Sequence, residues 1–252
     1  MRIELRMEYM TWQEIEAAMN EGYTTAVLIS GSIEQHGPHL PLGTDTMLGY
    51  ALGEAVAKNL GNALVAPVIR PGLSEHHMAF KGSLTLSPAV FKATVSEIVD
   101  SLVRHRFMAI VLASSHGGNE SVLVQLAPEL AAKYPSVKFL VNFDLTPLFA
   151  QLAKIGAEDG IDLAELGAHA GEFETSAMMA YDETHVRNDK LDVGFLGDLV
   201  SDEESIQKLI KNGLHSLTDN GILGDARKSN KQRGVKYLEI FGQSVIDGLH
   251  QI

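Results

Sequence analysis

The feature that most constrains this chain is an alternation between short apolar runs and longer stretches whose apolar residues recur at helical spacing. Thr25-Ala26-Val27-Leu28-Ile29-Ser30 and Ala109-Ile110-Val111-Leu112-Ala113 carry no helical period and no polar alternation. Such runs suit strands buried on both faces, the condition of a parallel sheet held between two helical layers. Ala63-Leu64-Val65-Ala66-Pro67-Val68 and Lys138-Phe139-Leu140-Val141 extend the series, with Pro67 marking a bulge or a strand end. Helix faces lie between them. Thr11-Trp12-Gln13-Glu14 has the form of a capping box, with Ile15, Ala18 and Met19 as the core face behind it. Met47, Leu48, Ala51, Leu52, Ala55 and Val56 mark a second helix. Phe91, Val95, Ile98, Val99 and Leu102 mark a third, opened by Ser87-Pro88. A fourth covers about Glu120 to Lys133, and beyond Gly171 the pattern predicts helices near Glu172 to Tyr181, Glu203 to Thr218 and from about Lys231. The expected fold class is therefore α/β, a three-layer α/β/α arrangement with a mostly parallel central sheet. No repeat or linker interrupts it, so residues 1–252 read as a single domain.

Composition narrows the function. Lys and Arg number 20 against 32 Asp and Glu, a formal charge of −12 that repels polyanions, so no nucleic-acid partner is expected. The absence of cysteine excludes disulfides, a thiolate nucleophile and sulfur-based zinc sites, so any metal must sit on nitrogen and oxygen. Met1-Arg2-Ile3-Glu4-Leu5-Arg6 has no apolar signal core, and no run approaches the ~20 residues of a spanning helix. These features read as a cytoplasmic protein with no membrane partner.

Chemistry-bearing residues gather in the loops that follow strands. Gly31-Ser32-Ile33-Glu34-Gln35-His36-Gly37-Pro38-His39-Leu40-Pro41-Leu42-Gly43-Thr44-Asp45 directly follows the first strand. Glu34, His36, His39 and Asp45 are hard or borderline ligands for a divalent cation, placed beyond the carboxyl end of a strand where open α/β sheets bind ligands. The third strand ends in Ser114-Ser115-His116-Gly117-Gly118-Asn119-Glu120, and His169-Ala170-Gly171-Glu172-Phe173-Glu174 adds a third group at a helix start. Each residue alone has an ordinary structural reading: a strand-end histidine as a hydrogen-bonded side chain, Asp45 as a helix cap, Glu172 as a cap or a solvated group. Three such groups on successive loops are harder to dismiss. No H-E-x-x-H, G-x-G-x-x-G, P-loop or G-x-S-x-G pattern occurs, which leaves metal-assisted hydrolysis.

These motifs resemble the creatininase (creatinine amidohydrolase) family. The likeness rests on Gly31 to Pro41, on His116-Gly117-Gly118-Asn119, and on His169-Ala170-Gly171 with Glu174-Thr175-Ser176. Ser74-Glu75-His76-His77, Phe80-Lys81-Gly82-Ser83 and Gly221-Ile222-Leu223-Gly224-Asp225 support it. The resemblance implies a creatininase-like α/β/α fold, two divalent metal ions per chain (Zn, Mn or Fe), and a homo-oligomer, often a hexamer. Carried over by position, Glu34 and His116 would hold one metal, His36 the other, and Asp45 would bridge both. Where the family's type member has a metal-binding glutamate, this chain has Gly118; Glu174 is the expected substitute, with Glu120 a weaker candidate. His169 matches the family's proton-shuttling histidine. Glu75, His76 and His77 would orient substrate or serve structure.

The chemistry so implied is a water or hydroxide shared by two cations and aimed at a polarised carbonyl. The substrate would be a small cyclic amide or related carbonyl compound. Creatinine itself is disfavoured, because the family member that takes it uses tryptophans near the site and this chain has only Trp12, remote from the motifs. Other members resemble formamide hydrolases, peptidases that trim a modified peptide, and hydrolases that open an inosose ring by C–C cleavage. A non-catalytic metal-dependent binding protein and a purely structural subunit are the readings outside enzymology, and the Glu34, His36, Asp45 and His116 set speaks against both.

Overall fold

The computed structural model describes residues 4–144, 146–197 and 202–252; the first three residues of the charged N-terminal segment lie outside that set. Four parallel strands, β1 (Thr25–Ser30), β2 (Ala63–Val65), β3 (Ala109–Ser114) and β4 (Lys138–Val141), stand in the order β2-β1-β3-β4, and a short antiparallel β5 (His250–Gln251) closes one edge. β1 and β3 pair from Thr25 opposite Ala109 to Ser30 opposite Ser114, so their carboxyl ends are level.

Helices cover both faces, and the period-two geometry of a strand decides which residue faces which layer. Ala26, Leu28, Ile110 and Leu112 pack with Ala18 of α1 (Trp12–Asn20), with Phe91, Val95 and Val99 of α3 (Pro88–Arg104), and with Leu123 and Leu126 of α4 (Glu120–Lys133). The alternate residues Val27, Ile29, Val111 and Ala113 pack with Leu52 and Val56 of α2 (Thr44–Leu60), and with Leu148 and Leu152 of α5 (Thr146–Glu158). Phe173 of α7 (Glu172–Asp182) and Tyr237, Phe241 and Val245 of α9 (Lys231–Gly248) complete that layer. The arrangement is three-layer α/β/α around a mostly parallel sheet. No helix among the described residues is long and apolar enough to cross a membrane.

Local chemistry sets the ends. Thr11 and Glu14 form the reciprocal capping box, and Ser87 accepts from the Val90 N–H with Pro88 at the first helical position. β2 stops before Pro67, which has no N–H to give to the ladder. The helix expected from Glu203 to Thr218 is shorter: α8 (Glu203–Asn212) ends at Gly213, whose φ of 84° breaks the helical path. The structure adds α5, a single-turn α6 (Leu163–Leu166), and β5, whose two exposed residues carry no apolar signal.

A sheet ordered 2-1-3-4 reverses its winding between β1 and β3. At such a switch point the loops leaving the two strands turn apart and open a crevice above the sheet.

Candidate metal centre

That crevice receives the polar loops. The segment after β1 brings in Glu34 and His36, both fully buried, and enters α2 with Asp45 in the first helical turn. Its backbone is tied to the end of β3, where Ser115 Oγ donates to the Asp45 carbonyl at 2.7 Å, and is closed on itself where Thr46 Oγ1 donates to the Ser32 carbonyl at 2.9 Å. His116 arrives from the end of β3. Glu174 arrives from the first turn of α7, with its Oε2 accepting from the Ala170 N–H at 2.6 Å.

These side chains converge. Nδ1 of His116 lies 3.3 Å from Glu34 Oε1 and 3.4 Å from Asp45 Oδ2. Nε2 of His36 lies 3.2 Å from Asp45 Oδ1 and 3.7 Å from Glu174 Oε2. His169 directs Nδ1 toward Glu34 Oε1 at 3.8 Å. Three groups have donor atoms within 4.8 Å of one another and could hold an ion: Glu34, Asp45 and His116; His36, Asp45 and Glu174; and Glu34, His36 and His169. Asp45 belongs to two of them. Glu120 lies outside all three.

Backbone carbonyls settle which ring nitrogen each histidine offers. His36 gives its Nδ1 hydrogen to the Glu34 carbonyl at 3.1 Å, His116 its Nε2 hydrogen to the Leu73 carbonyl at 3.0 Å, and His169 its Nε2 hydrogen to the Gln35 carbonyl at 2.7 Å. A carbonyl only accepts, so His36 Nε2, His116 Nδ1 and His169 Nδ1 are the nitrogens left for the centre.

Among the described residues, five buried polar atoms have no hydrogen-bond partner: Glu34 Oε1 and Oε2, His36 Nε2, Asp45 Oδ2 and His39 Nδ1. Four of the five belong to the converging set. They lie close together yet miss hydrogen-bond geometry with one another, as lone pairs do when they aim at shared points. Orphaned buried groups of this kind are costly, and divalent cations satisfy an all-nitrogen-and-oxygen set. The residues fit such ions.

The titration behaviour follows from the crowding. Burial pushes His36 down, but Asp45, Glu174 and Glu34 overcome it and raise the imidazole to about 10. Burial likewise opposes His116, which the adjoining Glu34 carboxylate, with Asp45, lifts to about 9. Glu34 is held well below the usual carboxylate range because His116, His77 and His169 outweigh its burial. Burial pushes Glu174 up to about 7 against the pull of His36. Burial, helped by the charge on His36, drives His169 well below its ordinary value.

One expectation needs correction. Glu172 is neither a cap nor a solvated group: it is fully buried and accepts from Arg233 Nε at 2.7 Å, Tyr237 Oη at 2.8 Å and Ser176 Oγ at 2.5 Å. This ion pair ties α7, which carries Glu174, to α9. His77, only loosely placed from sequence, is 2% exposed with Nε2 3.2 Å from Glu34 Oε1. The residue missed altogether is Gln35, whose amide meets His77 and His169. Its place between two ligand-type residues was the available signal. The structure also explains Gly118, where a Cβ would strike His116 Nε2 and the Leu73 carbonyl, so no glutamate fits there on this backbone.

A cavity of about 300 Å³ opens over the centre, lined by Glu34, Asp45, His116, His169 and Glu174 together with Leu209, Leu214 and Leu223.

The sequence model of the creatininase family, described as creatinine amidohydrolase, matches residues 8–249. A mycofactocin precursor peptide peptidase of Mycobacterium ulcerans (strain Agy99) is 29% identical over 88% of this chain and 82% of its own length. The creatinine amidohydrolase of Pseudomonas putida is 26% identical over 96% of this chain and 95% of its own. A solved mutant creatininase of Zn-Zn type superposes with a TM-score of 0.76 at 27% identity, covering 97% of this chain and 96% of that one. With a family match over nearly the whole length, and with the same fold, the chain belongs to the creatininase family of hydrolases.

Proposed function

We propose that this protein hydrolyses a carbon–nitrogen bond in a small amide, with Glu34, His36, Asp45, His116 and Glu174 holding two divalent cations of the Zn, Mn or Fe class. The observation that carries this reading is the set of buried, unpartnered nitrogen and oxygen atoms converging beneath a cavity. Bound there, divalent cations supply a water of lowered pKa and polarise a carbonyl. The chain's own residues do the rest. His169 presents a neutral Nδ1 toward Glu34 while its Nε2 hydrogen is fixed on the Gln35 carbonyl, so it can take a proton and pass it to the leaving nitrogen. The site is recessed in a cavity of about 300 Å³, a size suited to small substrates or a chain end. Trp12 is 71% exposed on α1, which leaves no tryptophan to stack on a creatinine ring.

A second reading, release of a short piece from a peptide end, is supported by the likeness to the mycofactocin precursor peptide peptidase. Both readings break the same type of bond. The experiment is metal analysis followed by a substrate panel. Protein reconstituted with Zn, Mn or Fe is expected to hold about two equivalents per chain, to lose them on Asp45→Ala, and to turn over a lactam, a formamide or a peptide end. Absence of metal after reconstitution overturns the proposal; cleavage of inososes alone moves the reaction to C–C bonds.

A further inference from the structure

Gln35 lies between Glu34 and His36 in the chain. It is 5% exposed, and its amide is fully used. Oε1 accepts from the Gly37 N–H at 3.0 Å, and Nε2 donates to the Gly221 carbonyl at 3.0 Å. A flipped amide would set oxygen against oxygen at Gly221 and N–H against N–H at Gly37, so the backbone dictates its orientation. One amide hydrogen remains for two neighbours, His77 Nδ1 at 3.0 Å and His169 Nε2 at 2.9 Å. His169 Nε2 already gives its own hydrogen to the Gln35 carbonyl at 2.7 Å and cannot accept. The hydrogen therefore goes to His77 Nδ1. A neutral imidazole that accepts at Nδ1 carries its hydrogen on Nε2, and His77 Nε2 is the atom 3.2 Å from Glu34 Oε1.

We propose that Gln35 is a positioning residue that works on both sides of the centre: its main-chain carbonyl turns His169 so that Nδ1 faces inward, and its amide fixes His77 as the tautomer whose hydrogen sits on Nε2, the nitrogen 3.2 Å from Glu34 Oε1. The inference rests on the reading of Glu34 as a cation ligand. It gives residue 35 the part that outer partners of ligating carboxylates and histidines play, setting orientation and basicity without touching the ion. The fold is shaped around the amide. Gly221 holds a φ of 81°, and a Cβ there would collide with the Gln35 side chain.

The test uses zinc-loaded protein with ¹⁵N-labelled histidine, reading tautomers from two-bond ¹H–¹⁵N correlations and zinc affinity by chelator competition. In the unaltered protein both His77 and His169 are expected as the Nε2–H form. Gln35→Glu replaces the donor with an acceptor of the same shape. His77 should then carry hydrogen on Nδ1, His169 should keep Nε2–H because its partner is main chain, and zinc affinity should fall about 10- to 100-fold. An Nδ1–H tautomer of His77 in the unaltered protein overturns the proposal and needs no variant to fold. So does a Gln35→Glu protein whose His77 switches while zinc affinity stays unchanged. If the unaltered protein binds no zinc, the metal reading falls, and the tautomers at 77 and 169 in that same sample still decide whether Gln35 sets them.

Discussion

At the scale of single residues, roles divide by which atom each side chain leaves free. His169 belongs to one of the ion-holding groups through Nδ1, yet its burial and its tie to the Gln35 carbonyl suit a proton carrier. His169→Ala is expected to keep the metal content near that of the unaltered protein and to lower turnover by ~10²- to ~10⁴-fold; a purified variant lacking one of its metals would make His169 a ligand. Gly118 gives the complementary case. A methyl there meets the Leu73 carbonyl that accepts from His116, so Gly118→Ala should turn the His116 ring and weaken metal retention, read by chelator competition. The convergence of Glu34, His36, Asp45 and His116 was legible in sequence because donor chemistry belongs to residue type and all four lie in loops next to recognisable strands. His77 and Gln35 were not, because their roles exist only through partners distant in the chain: Gly221 lies 186 residues from Gln35.

At the scale of elements, α7 must hold Glu174 at the centre, and what secures it is the ion pair behind it. Arg233 on α9 is 6% exposed and gives Nε to Glu172, Nη1 to Asp159 and Nη2 to the Lys228 carbonyl. Arg233→Met leaves the Glu172 carboxylate buried without its cation and should cost about 3–5 kcal/mol of stability. Chemical denaturation measures this, and a loss below 1 kcal/mol would show that Glu172 is neutralised by other means. The double variant Glu172→Gln, Arg233→Met should recover much of the loss, since no lone charge remains. From sequence Glu172 reads as a helix-start acid, because periodicity places it without revealing that α9 packs over it. Elements with strong local signals, such as the capping box of α1 and the Ser87-Pro88 start of α3, appear where expected. The end of α8 was overestimated because the helical pattern continues past Gly213 while the backbone does not.

At the scale of the whole molecule, the site depends on protons when metal is absent. In the folded chain His36 is raised to about 10 and His116 to about 9, above their ordinary value of 6.5. Groups raised on folding contribute stability that is fully present below 6.5 and lost as pH rises through the folded values. The metal-free protein should therefore lose stability between about pH 7 and pH 10, and zinc should remove that dependence by replacing the protons. Zinc titration at pH 7 in two buffers of different ionisation enthalpy should show release of on the order of two protons per chain; a heat independent of buffer would contradict it. The sequence alone determined the α/β class, the exclusion of sulfur ligands and the donor types, because period, composition and side-chain chemistry are local properties. Tertiary structure decided which carboxylates converge on the crevice and which are buried supports, and which nitrogen each histidine offers. Those depend on carbonyls and charges that only the 2-1-3-4 strand order brings to one crevice.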